Sequence, residues 1–224
     1  MWIIEHCYWP LLHISQKYNI PLGIELSGYT LELIHKYDNE FIQTIKSLVK
    51  KNRIEILGSG YSQAIYPLIP FQSNLYNLTI ANELYDKYLG TVPQIAYVNE
   101  QVYSQGMISL FSKAGYKAII IDRLNSPLQR SALSENKSIY HSLYSPRNIE
   151  NADGDKLTVL WNDSIAIQKF QRYTQGTSTF EEYLQYLFII ENNHPFSVFP
   201  LYGSDFEIFD YRPGNMSRFF TSSF

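Results

Sequence analysis

Two acids stand where an apolar run gives way to polar and aromatic residues. The stretch Ala96-Tyr-Val-Asn-Glu100-Gln-Val-Tyr-Ser104 carries Glu100 at the end of a β-like run, and Leu201-Tyr-Gly-Ser-Asp205-Phe-Glu-Ile-Phe-Asp-Tyr-Arg-Pro-Gly214 does the same for Asp205. A β/α barrel presents chemistry in this way: its strands pack a core, their carboxyl ends open on one face, and groups placed there converge on one pocket. Two carboxyl groups on one pocket can do acid and base work on a single bond. Glu100 and Asp205 are the leading candidates for such a two-carboxylate site.

Nearly every β-like run has an acid within it or at its end: Glu25, Glu55, Glu100, Asp122, Asp163 and Asp205. A half-buried acid is costly unless it is paired or hydrogen-bonded, so their recurrence at equivalent points argues for a shared polar pocket. Strand alternation puts Glu25 with Ser27, and Glu55 with Leu57 and Ser59, on common faces. Salt bridges inside a barrel are the alternative for Glu25 and Asp122.

The runs that must position these groups alternate with amphipathic stretches, the pattern of parallel βαβ units. Six strands are expected, at Leu22–Ser27, Ile54–Gly58, Gln94–Asn99, Ala118–Asp122, Leu157–Trp161 and Ser197–Tyr202. Helices are expected around Ile4, Tyr8, Leu11 and Leu12; around Phe41, Ile42, Ile45, Leu48 and Val49; from Ser73 to Leu89 before Gly90; and from Gln105 to Ala114 before Gly115. The chain opens inside a helix, whereas each crossover helix follows a parallel strand, so the pattern predicts a strand ahead of Met1. The whole reads as one incomplete barrel domain over residues 1–224, truncated at both ends, with residues 123–156 a long loop excursion bearing an Asp153-Gly154 turn signal. Gly58, Gly60 and Gly203 are expected to let the backbone turn sharply at the barrel rim.

Composition narrows the function classes. A formal net charge of -3 with both signs interspersed gives no footprint for nucleic acid, and no polybasic cluster favours an anionic membrane. Lys50, Lys51 and Arg53 read as a solvated helix end. The single cysteine, Cys7, has no internal partner, and neither a leader-like apolar run nor a membrane-spanning stretch is visible, so a cytoplasmic location is expected. The chain holds 19 Tyr, 13 Phe and 3 Trp, enough rings to stack on sugars, although core packing accounts for many such rings.

Three segments carry a family resemblance. Asn52 to Pro70 (NRIEILGSGYSQAIYPLIP), Ala96 to Tyr103 and Ser204 to Gly214 resemble the second, third and fourth signature regions of glycoside hydrolase family 57, in family order and with sensible spacing. The resemblance runs from about residue 5 to 214. It implies a (β/α)7-type barrel of the glycoside hydrolase/deacetylase class, with its first strand missing here, acting on α-glucan-like polysaccharides by a retaining mechanism. It further implies Glu100 as nucleophile, Asp205 as general acid/base, and Glu55 and Glu207 as substrate-side acids. A looser match at Leu160 to Gln168 implies Trp161 and Asp163 near the sugar. The family's histidine motif on the first strand has no counterpart here, since His6 and His13 lie on the following helix.

In a retaining glycosidase the two carboxyl groups sit about 5–5.5 Å apart, one attacking the anomeric carbon while the other protonates the leaving oxygen and later activates water. Asn99, Gln101 and Tyr103 could hydrogen-bond the nucleophile, and Phe206, Phe209 and Tyr211 flank the acid/base with apolar surface. Tyr61, Tyr66, Trp161 and Tyr211 are candidates for stacking on pyranose rings. No cofactor is implied. A metal-dependent deacetylase would need clustered histidines, and His6, His13, His35, His141 and His194 offer none, so no catalytic metal is expected. The other reading is a catalytically idle barrel or carbohydrate-binding remnant. An open barrel edge invites a homo-oligomer or a complementing chain.

Overall fold

The structure, a computed structural model, describes residues 1–125, 145–193, 203, 205 and 206. The chain begins with a π-helical turn, Ile4–Tyr8, that runs into α1 (Trp9–Tyr18). Pro10 gives the reason: it has no N–H for the carbonyl one turn back and its ring crowds that carbonyl, so a wider turn just before it relieves both. Then follow β1 (Leu22–Glu25), α2 (Gly28–Tyr37), α3 (Asn39–Lys50), β2 (Ile54–Leu57), α4 (Phe71–Leu89), β3 (Ile95–Tyr97), α5 (Gly106–Lys113), β4 (Ala118–Asp122), β5 (Arg147–Glu150), β6 (Lys156–Asn162), α6 (Ser164–Thr174) and α7 (Phe180–Asn193).

Two helices, not one, connect β1 to β2, and side-chain caps separate them. Ser27 starts α2 by accepting from the Thr30 N–H at 3.1 Å. Asp38 starts α3 by accepting from the Phe41 N–H at 3.0 Å, and its other oxygen takes the Trp9 indole N–H at 2.7 Å. Each cap satisfies an amide that the first helical turn leaves without a carbonyl. At the far end of α4, Gly90 takes a left-handed φ of 69°, the expected stop.

β1 and β2 run parallel, and β3, β4 and β6 form a second parallel set. One bridge joins the sets: the Gly58 N–H donates to Ile95 O at 2.7 Å and the Tyr97 N–H to Gly58 O at 2.9 Å. The parallel succession is therefore β1-β2-β3-β4-β6. Within the stretch read as a loop excursion, β5 pairs antiparallel with β6 through a turn that holds Gly154 at φ 83°. The Asn151 side chain builds that turn by accepting from the Asp153 and Asp155 N–H groups at 3.0 and 2.9 Å. The sixth expected strand, Ser197–Tyr202, lies outside the described residues.

One face of every parallel strand is apolar and covered by helices. Ile24, Ile54 and Ile56 pack with Leu31, Phe41, Ile45 and Tyr85, while Ala96, Ile119, Ile121 and Val159 pack with Met107, Leu110 and Phe111. Each such aliphatic side chain contributes about 1.5–3 kcal/mol on burial. The opposite, inward positions end in polar groups: Glu25, Tyr97, Asp122 and Asn162. That alternation turns an apolar sheet into a platform for chemistry at its carboxyl edge.

Gly58 and Gly60 are not turn residues with left-handed backbone. They are places of close approach. A Cβ on Gly58 would lie 2.3 Å from the Tyr116 ring, and one on Gly60 would lie 2.1 Å from Asn77 Nδ2. The Tyr116 ring is buried and its hydroxyl donates to Asn82 at 2.7 Å, so it has nowhere to go. Gly58→Ala is expected to cost about 1–3 kcal/mol, read as an earlier urea midpoint at unchanged slope.

Candidate active site

Glu25 ends β1 on the inward side, and burial pushes its carboxyl above the usual range. The polar side chains of Ser59 and Asn99 beside it oppose that shift, while the Asp205 charge adds to it. Its Oε1 is buried with no hydrogen-bond partner among the described residues. Ser59 and Asn99 are themselves fixed: Ser59 Oγ donates to Asn99 Oδ1 at 3.2 Å, and the buried Tyr66 hydroxyl donates to the same oxygen at 3.4 Å. Tyr85 ties this cluster to the strand ends, accepting from the Ser59 N–H at 3.1 Å and donating to the Leu26 carbonyl.

Asp205 reaches the same place from the other end of the chain. Gly203 is held by its N–H donating to Asn162 Oδ1 at 3.2 Å, at the carboxyl end of β6. Phe206 meets Tyr8 edge-on, ring centres 5.5 Å apart, and packs against the helix-side core. Between these two anchors Asp205 lines a cavity of about 350 Å³ together with Glu25, Tyr97, Tyr8, Gln63 and Gln171. Tyr97 sits among three acids. Burial raises its phenol to about 12, and the charges of Glu25, Asp205 and Asp122 add to the rise.

Glu100 stands just past β3 and is exposed. It and Gln101 both have left-handed backbones, φ 53° and 55°. Non-glycine residues in that region cost of order 1–3 kcal/mol each, and such strain concentrates at functional sites. Glu100 is not one of the residues that line the cavity; its neighbour Asn99 links it to the cluster around Glu25. The described side chains therefore bring Asp205 together with Glu25. Gln101 gives its amide to the Val98 carbonyl at 2.9 Å instead of to Glu100.

The remaining expected site residues divide. Glu55 points inward but lies in a second cavity of about 560 Å³, lined by Asn52, Arg53 and Gln94 toward the amino ends of the strands. Tyr61 is half-buried and is not among the residues that line the first cavity; its hydroxyl donates to Glu32 at 3.1 Å. Tyr66 is fully enclosed, packed edge-on to Phe111 at 5.2 Å, so its ring is core. Trp161 packs into the helix-side core too, because it falls on the outward register of β6. Asp163 is buried and caps α6, accepting from the Ile165 and Ala166 N–H groups at 3.0 and 3.4 Å and pairing with Arg123 Nε at 3.2 Å. Glu207 and Tyr211 lie outside the described residues.

Glu25 and Tyr97 are the site groups that sequence reasoning underweighted. Their signal was the inward register of the last strand residues, which the alternation of β1 and β3 contains. His6 and His13 are exposed and stack on Trp2 and Trp9, and the His35 ring packs at a tilt against Tyr88. Among the described residues no group of three or more His, Cys, Asp or Glu side chains could hold a metal ion, and no helix is long and apolar enough to cross a membrane.

The comparisons with known proteins agree with this architecture. The 4-α-glucanotransferase of Thermococcus litoralis is 22% identical over 218 residues, covering 95% of this chain and 31% of that protein. Its crystal structure superposes with a TM-score of 0.73 at 20% identity, covering 94% of this chain and 31% of that one. The α-amylase of Pyrococcus furiosus is 26% identical over 119 residues, 53% of this chain and 18% of that protein. An exo-type maltose-forming amylase from Pyrococcus sp. ST04 shares the fold, with a TM-score of 0.62 at 12% identity over 83% of this chain and 30% of that one. This chain thus spans less than a third of the length of these relatives. The sequence profile of glycosyl hydrolase family 57 matches residues 4–223, and the chain belongs to that family.

Proposed function

We propose that this chain is the carbohydrate-active barrel of an α-glucan-processing enzyme, either a hydrolase or a glycosyl transferase, working through two carboxyl groups with retention. Asp205 protonates the leaving glycosidic oxygen and then activates the acceptor, while Glu100 attacks the anomeric carbon from the opposite face. The observation that carries this reading is the joining of distant segments at one polar cavity: Asp205 on its wall, and Asn99, adjacent to Glu100, in the hydrogen-bonded cluster beside it. The strained turn at Glu100 supports it, since a backbone held in that region presents a side chain that a relaxed strand would not. Glu207 and Tyr211, close in sequence to Asp205, and Tyr61, in the turn after β2, are proposed sugar contacts.

Water and a second glycan are both chemically competent acceptors. The named relatives include an amylase and a glucanotransferase, so transfer and hydrolysis are separated by experiment. Incubating the purified chain with soluble starch, glycogen and malto-oligosaccharides and resolving the products by chromatography tests the reading. Shortened products alone indicate hydrolysis, and a ladder of longer and shorter oligosaccharides indicates transfer. Neither binding nor turnover of any α-glucan would overturn the proposal.

A further inference from the structure

We propose that Glu25 is a sugar-binding acid of this site, its carboxyl hydrogen-bonding a hydroxyl of the glucose unit that lies against Asp205. The inference rests on the α-glucan reading above and adds a residue that the family resemblance did not supply. Three observations carry it. Glu25 shares one cavity wall with Asp205 and Tyr97. Ser59 and Asn99 are polar neighbours of its carboxyl, and they are fixed by the bond between them and by the Tyr66 hydroxyl on Asn99 Oδ1. Its Oε1 nevertheless lacks any partner among the described residues, and such a buried orphan is costly unless something that binds there completes it.

A sugar hydroxyl fits that vacancy because it both donates and accepts. Among the described residues, the ionisable and charged groups around Glu25 are Asp205 from the terminal segment, Tyr8 from the first helical turn, Tyr97 from β3, Tyr66 from the turn after β2 and Tyr85 from α4, and no cation is among them. Burial therefore favours the protonated carboxyl, which offers an O–H to the ligand, and that donor disappears as pH rises through the raised range.

The test is calorimetric titration of maltotetraose into the full chain carrying Asp205→Asn, a change that removes the neighbouring charge and slows turnover. Burial, the largest cause of the shift at Glu25, remains. Binding is expected to weaken several-fold as pH rises between about 4 and 8, with the sign set by loss of the Glu25 proton. Adding Glu25→Gln, which keeps an N–H donor at every pH, should flatten that dependence while holding affinity near its low-pH value. Adding Glu25→Ala should weaken binding about tenfold at low pH. Circular dichroism of each variant confirms folding, and the near-isosteric glutamine keeps the test decisive if alanine unfolds. Equal affinity and equal pH dependence across all three chains would overturn the role of Glu25 and leave the α-glucan reading standing. No maltotetraose binding by any of them, with no α-glucan turnover by the unaltered chain, would remove both.

Discussion

Asp205→Asn and Glu100→Gln should each reduce turnover of an α-glucan on the order of 10³-fold or more, and combining them should cost little beyond the larger single loss, because the groups act as one unit. The two variants are distinguishable. Loss of the acid/base is relieved by a substrate whose leaving group needs no proton, such as an activated aryl glycoside, whereas loss of the nucleophile is not. Steady-state rates on both substrate types, with products analysed for anomeric configuration, check the assignment. If Glu100→Gln turned over normally, the nucleophile role would pass out of Glu100, and Glu25, the carboxyl that shares a cavity wall with Asp205, would be the group to examine next.

Asp163→Ala is expected to be the most damaging change to stability. The Asp163 carboxylate is buried, caps α6 at two amides and pairs with the buried Arg123. Removing one member of a buried pair leaves the other charge uncompensated, at about 3–5 kcal/mol. The measurement is urea unfolding of three chains: Asp163→Ala, Asp163→Asn and Asp163→Ala with Arg123→Met. Asparagine keeps the cap and should fall between alanine and the unaltered chain. Replacing Arg123 as well should recover part of the loss. A loss below about 1 kcal/mol in the alanine variant would show that the ion pair and cap carry little, and would return Asp163 to the sugar-contact role that sequence similarity implied.

The case of Asp163 shows what the sequence could and could not convey. The parallel order of strands, the helix stops at Gly90 and Gly115 and the grouping of polar ends on one edge were legible, because they follow from periodicity and glycine placement. The α2–α3 break was not, since it depends on the Asp38 cap, which looks like any acid until the Phe41 N–H is seen to bond to it. β5 was hidden for a related reason: its four residues are mostly exposed and owe their conformation to pairing with β6 and to the Asn151 turn. At the site, residue type identified the acids but not their register. Glu25 ends β1 and Trp161 lies one residue before the end of β6, yet one faces the cavity and the other the helices. A shift of one residue decides between these fates.

The grip of Tyr8 on Phe206 and of Asn162 on Gly203 has a kinetic side. Among the described residues, Phe206 and Gly203 on either side of Asp205 meet partners that lie far back along the chain, so those contacts close long loops. Assembly should therefore run from local βα pieces toward the ends, with the acid seated last. A folding intermediate with native-like helices and no catalytic competence is the natural outcome of that order.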